Sequence, residues 1–143
     1  MVHNFWREHP NVNYSIDTVS VLFFCYNQFM KTDMTILECK TFEDLYAWFL
    51  LNAEKETEVY VVVSRQNKEK CIDVLCYEDA VKAALCFGWI DSTIRNIDGK
   101  LVQRFSPRKK NSHWTETNIN RCIELDSKGL LTKAGKKACP HYK

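Results

Sequence analysis

One stretch limits the possible folds more than any other, the run Glu58-Val59-Tyr60-Val61-Val62-Val63-Ser64-Arg65. Branched and aromatic side chains favour extended backbone, and a run with no polar alternation has no face to give to water. It predicts a strand covered on both sides. A chain of 143 residues can build one such core, whereas two would each be marginal. With 45% hydrophobic and 27% charged residues, global disorder is excluded, and 4 Gly and 3 Pro exclude collagen-like and low-complexity classes. The apolar run at residues 19–26 is far too short to span a bilayer, so no transmembrane segment is expected.

Signals on both sides of this strand supply its covers. Thr41 followed three residues later by Asp44 forms a capping-box pattern. Phe42, Leu45, Trp48, Phe49 and Asn52 then fall on helical spacing, and the helix should fade near residues 53–55. Residues 77–87 read as a second helix, with Ala80, Val81, Ala84 and Leu85 inward and Glu78 and Asp79 in the first turn, where the dipole favours them. Gly88 fits the left-handed position after its end. Asp98-Gly99 between residues 92–97 and 101–106 is a hairpin signal, with Ile94, Leu101 and Phe105 as its expected apolar side. After the basic loop 107–114, Thr115 caps a third helix, 116–128, whose apolar positions are Ile119, Cys122, Ile123 and Leu125. Thr132 caps a short last helix that Pro140 stops. The expected fold is α+β: a single small domain, about three to four helices packed on a small, mainly antiparallel sheet containing one β-hairpin. The domain is expected over residues 41–140. Residues 1–40 read as an N-terminal extension of uncertain structure, with the biological start at Met30 or Met34.

The net charge of +2 hides a division. Residues 1–90 carry 8 basic and 13 acidic side chains, and residues 91–143 carry 12 basic and 5 acidic. The basic part suits anionic partners. Seven cysteines at irregular spacing contain no CxxC pair, which excludes zinc-ribbon and thioredoxin-like motifs. Cys76, Cys86, Cys122 and Cys139 lie in or beside apolar helical stretches and read as small core residues. That usage, with no small-residue cleavage site after residue 26, predicts a reducing, cytoplasmic location.

The segments Cys86-Phe87-Gly88-Trp89-Ile90-Asp91 and Gln103-Arg104-Phe105-Ser106-Pro107-Arg108, followed by Ser112, Trp114 and Asn118, are distinctive. Together they resemble the YdeI/OmpD-associated family, also described as bacteriocin-protection proteins. The resemblance covers about residues 42–139. It includes Trp48, Val59 to Val63, Tyr77-Glu78-Asp79-Ala80 and the Gly129, Thr132, Gly135 tail, and it departs at Cys76, where the family more often has a capping Thr or Ser. It implies a small bacterial α+β domain linked by name to stress or bacteriocin resistance.

If the hairpin gathers these segments, Trp89, Asp91, Arg104, Ser106, Arg108, Ser112, Trp114 and Asn118 line one pocket. Guanidinium forks suit carboxylates and phosphates, so the expected ligand is an anionic small molecule or an anionic face of a protein partner. The same residues admit a purely structural role, with Asp91 pairing Arg104 or Arg108 and Trp89, Phe105 and Trp114 in the core. Catalysis has little support. Cys86 sits near a helix C-terminus, where the dipole opposes a thiolate, and His113 beside Ser112 does not make a triad. No cofactor or metal motif is present in the sequence, and a non-catalytic binding protein is expected. The alternative is non-specific nucleic-acid binding by the basic segment 104–114, where Arg104, Arg108, Lys109 and Lys110 alternate with Phe105 and Trp114.

Overall fold

The computed structural model describes residues 27–31 and 34–143. The aromatic residues Phe5, Trp6, Phe23 and Phe24 and the apolar run 19–26 lie outside the described residues. Strands β1 (Asn27–Lys31), β2 (Met34–Glu38), β3 (Val59–Val62), β4 (Trp89–Ile97) and β5 (Lys100–Pro107) form one sheet in the order β1-β2-β3-β5-β4. Only β2 and β3 run parallel; every other neighbouring pair is antiparallel. Helices α1 (Phe42–Asn52), α2 (Tyr77–Cys86), α3 (Glu116–Ser127) and α4 (Lys133–Ala138) complete a small α+β domain.

The strand read from the β-branched run is central, with β2 on one side and β5 on the other, and all four of its residues are buried. Its alternate side chains divide between two cores. Val59 and Val61 join the main core beneath the helices, while Tyr60 and Val62 pack with Ile36 and Val102 on the opposite sheet face. The sheet starts earlier than Thr41. Ile36 and Leu37 are fully buried and pair with Tyr60 and Val61, so β1 and β2 belong to the domain rather than to an extension. Met30 lies inside β1 and Met34 opens β2. Polar residues interrupt both strands, which hides their pattern in the sequence.

Local chemistry fixes the helix starts. Thr41 Oγ1 accepts the Asp44 N–H at 3.2 Å, and Asp44 Oδ2 accepts the Thr41 N–H at 3.2 Å, closing the capping box. Thr115 and Thr132 cap α3 and α4 in the same way, accepting from Asn118 and Gly135. α1 is buried on more than one face, with Tyr46 and Ala47 inside as well as Leu45, Trp48 and Phe49. Trp48 meets Trp89 edge-on at 6.2 Å, and Phe49 stacks on Phe87 at 5.3 Å. Burying side chains of this size contributes about 1.5–3 kcal/mol each.

The hairpin closes through a two-residue turn in which Asp98 and Gly99 both take positive φ, 52° and 80°. Its apolar side differs from the expected one. Phe105 is fully buried, but a bulge between Asp91 and Ile94 shifts the register and turns Ile94 outward. Gln103 fills the irregularity. Its Nε2 donates to the carbonyls of Ser92 at 3.2 Å and Thr93 at 3.1 Å. In α3 the buried residues are Cys122 and Leu125, while Ile123 is exposed.

Candidate functional site

Arg108 is anchored where β5 meets the end of α2. Gly88 follows α2 with a φ of +75°, and its carbonyl accepts the Arg108 N–H at 3.0 Å. The guanidinium then lies 3.7 Å above the Trp114 ring. Its Nη1 donates to the His113 carbonyl at 3.1 Å and to Ser112 Oγ at 3.5 Å. A cation over an indole is attracted by the ring's negative face. Of the eight residues expected to share a pocket, Arg108, Ser112 and Trp114 therefore come together, and Arg108 Nε is buried without a hydrogen-bond partner.

The other predicted residues do not join them in one pocket. Arg104 pairs in register with Tyr60, so alternation places its side chain on the sheet face opposite Phe105. There its Nε donates to Glu58 Oε2 at 2.8 Å and its Nη1 to Ser92 Oγ at 3.0 Å. Ser106 follows the same alternation as Arg104. Trp89 is buried against Trp48 and Phe49 and is a core residue, not a platform for a ligand. Asn118 uses Oδ1 to accept from Arg121 Nη1 at 3.0 Å. Asp91 accepts from Tyr77 Oη at 2.6 Å and bonds neither arginine directly. Asp91 acts on Arg108 through its field. Burial lowers the Arg108 pKa, and the nearby Asp91 carboxylate opposes that shift.

What Arg108 does border is a groove of about 620 Å³. Phe87, Gly88, Ala134 and Ala138 give it apolar walls, and Arg108, Lys109, Lys110, Lys137 and Lys143 give it positive charge; no lining residue is acidic. α4 is held over this place by Thr132, whose N–H and Oγ1 both donate to the Cys86 carbonyl, at 3.0 and 2.5 Å. The close seat needs glycine at Gly135, where an added Cβ would lie 2.6 Å from the Cys86 carbonyl oxygen. Sequence reasoning missed Lys137, Lys143, Ala134 and Ala138. The basic excess after residue 90 was the available signal, but the packing of α4 against Gly88 is a long-range contact that periodicity does not report.

The thiols nearby do not cancel this charge. Burial, then its neighbour Cys139, pushes Cys122 up to about 12, and burial also raises Cys86 well above the ordinary thiol range. Both are neutral at physiological pH and poor nucleophiles. Among the described residues no group of three or more His, Cys, Asp and Glu side chains is arranged to hold a metal ion, and no helix is long and apolar enough to cross a membrane.

One cysteine expectation is corrected. Cys76 is not a free core residue, because it is disulfide-bonded to Cys71, with Cα atoms 5.8 Å apart. Spacing alone did not show the pair, since it is the bend at residues 72–74 that brings the two residues together. Cys39, Cys86, Cys122 and Cys139 are free and buried.

Residues 37–138 match the model of a family described as Domain of unknown function (DUF8412), and the chain belongs to that family. No curated protein and no solved structure matches the chain.

Proposed function

We propose that this DUF8412 protein is a non-catalytic binding protein that holds an anionic small ligand in the groove between Arg108 and α4. The observation that carries the reading is the lining itself: five cationic side chains around apolar walls, with no acidic side chain among them. Such a lining favours a molecule with two or more phosphate or carboxylate groups attached to an apolar body. A solvent-exposed cation–anion contact at 4 Å contributes about 1 kcal/mol. Three or four such contacts sum to about 3–4 kcal/mol and place the affinity for a bare polyphosphate at roughly 1–10 mM, and an apolar body on the ligand tightens it. The likeness to the YdeI/OmpD-associated family extends the proposal to a cytoplasmic role linked to stress or bacteriocin resistance, supported by the two motif segments around Gly88 and Arg108.

The second reading, non-specific nucleic-acid binding by residues 104–114, has the exposed Lys109 and Lys110 in its favour. Against it, Arg104 is engaged by Glu58 on the other sheet face, so the segment does not present one continuous basic surface. A thermal-shift series on the full chain separates the two. Inorganic tripolyphosphate, ATP and a short oligonucleotide are each titrated at low and moderate salt. The groove reading predicts saturable stabilisation by ATP, lost in a Lys110→Ala/Lys137→Ala variant and retained in Arg104→Ala. Stabilisation by the oligonucleotide alone, collapsing with salt and weakened by Arg104→Ala, supports the second reading and overturns the first.

A further inference from the structure

The segment between β3 and α2 carries chemistry that the basic groove does not use. The Cys71–Cys76 disulfide closes a loop only five residues apart in sequence. Cys76 is the N-cap of α2, a ten-residue helix, and this start has no side-chain cap. Unpaired N–H groups and the dipole favour negative charge at that position, and a thiolate there is the kind of cap the disulfide withholds. Cys76 is buried, whereas Cys71 is partly open to solvent. Cys71 Sγ lies 3.6 Å from the carbonyl oxygens of Gln66 and Asn67, so a reduced thiol has acceptors already in place. A separate groove of about 400 Å³, lined by Arg65, Lys68, Cys76 and Tyr77 among others, opens on the Cys76 side of the bond, and Cys71, outside that lining, is reached from solvent through its own partial exposure.

We propose that the Cys71–Cys76 pair is a thiol–disulfide exchange site, opened by a small-molecule thiol or a protein dithiol. A reductant thiolate attacks Cys71 Sγ, the S–S bond breaks, and its electron pair leaves on Cys76 at the start of α2. A second reductant thiolate then attacks the reductant sulfur of the mixed disulfide and releases Cys71. Two reductant thiols become one disulfide, two electrons pass to the cysteine pair, and Cys71 and Cys76 take up protons as the pH dictates. The domain survives the opening because other bonds hold both ends of the segment. Ser64 N–H donates to Leu75 O at 2.8 Å, Tyr77 N–H to Ser64 O at 2.9 Å, and Leu75 N–H to Cys39 O at 3.1 Å. Only the stretch 65–74 is released.

The test uses the full chain, oxidised in air and then incubated with reduced glutathione. Peptide mapping after iodoacetamide labelling should show Cys71 and Cys76 modified at least about tenfold faster than the four buried thiols, and only after the reductant is added. Hydrogen exchange should rise in 65–74 and nowhere else, and Cys71→Ser should reproduce that rise without reductant. Three results would each overturn the proposal: both cysteines labelled in the air-oxidised protein, resistance to glutathione until the protein is denatured, or exchange rising throughout the domain once the bond opens.

Discussion

Three glycine-to-alanine variants measure how tightly α4 is seated on the end of α2, and hence whether the basic groove has the shape described. Gly88 and Gly99 have nearly the same backbone, with φ of +75° and +80°. Alanine at either position meets the same left-handed penalty, about 1 kcal/mol after allowing for the stiffer unfolded chain. At Gly99 nothing lies within 4 Å of the added Cβ, so that is the whole cost. At Gly88 the Cβ would stand 3.0 Å from the Ala134 carbonyl oxygen and 3.2 Å from the Ala138 Cβ. Backbone cannot swing aside as a side chain can, and crowding of this kind adds about 1–2 kcal/mol. Gly135 has ordinary helical backbone, and alanine there gains about 1 kcal/mol of helix propensity. It also places its Cβ 2.6 Å from Cys86 O and 2.9 Å from Leu85 O, a conflict that outweighs the gain by about 2 kcal/mol or more. For a domain of this size 1 kcal/mol moves Tm by roughly 4 °C, so thermal unfolding should fall by about 4 °C for Gly99→Ala and about 8–12 °C for Gly88→Ala and Gly135→Ala. If Gly88→Ala were no worse than Gly99→Ala, α4 would not rest on Gly88. Ala134 and Ala138 would then not wall the groove, and the reasoning that assembles the site would fail.

Replacing Trp89 by alanine removes a ring packed on Trp48 and Phe49 and should cost about 3–5 kcal/mol in chemical denaturation; a loss below about 1 kcal/mol would mean Trp89 is not core. Arg104→Ala breaks a partly exposed pair with Glu58 and should change stability by no more than about 1 kcal/mol in the same assay. Tyr77 and Tyr142 are both raised to about 12, by burial first and then by their hydrogen bonds to Asp91 and Asp126. A tyrosine whose folded pKa lies above its unfolded value stabilises the fold fully below the unfolded value near 10 and loses that contribution as pH rises toward 12. Ultraviolet titration should therefore show Tyr77 and Tyr142 among the late phenols, and Tyr77→Phe should remove one of them. Ionisation of both near 10 would contradict the hydrogen bonds.

The elements that were legible in the sequence are those whose signal is local. The Thr41–Asp44 box, the Thr115 and Thr132 caps, the Asp98-Gly99 turn and the continuous run of β3 each depend on a few adjacent residues, and the structure contains all of them. β1 and β2 were hidden because Asn27, Gln28, Thr35 and Glu38 break the apolar pattern, and β2 is buried only through its pairing with β3. Ile94 was placed on the wrong side because a bulge breaks the period-two rule on which the expectation relied. At the site, Arg108, Ser112 and Trp114 lie within seven residues of one another, so their grouping could be read directly. The separation of Arg104 from Arg108 could not, since it depends on which face of β5 meets the helices. The contribution of Lys137 depends on α4 returning to Gly88 across 49 residues of chain, which no local rule predicts.

Isothermal titration of the full chain with ATP at low and moderate salt, repeated on Arg104→Ala and on Lys110→Ala/Lys137→Ala, bears most directly on the groove. The account predicts one saturable site in the wild type, unchanged in Arg104→Ala and at least about tenfold weaker in the double variant, two lost contacts of about 1 kcal/mol each. An equal loss in Arg104→Ala, or full binding in the double variant, would contradict the claim that this groove is where the protein takes its ligand.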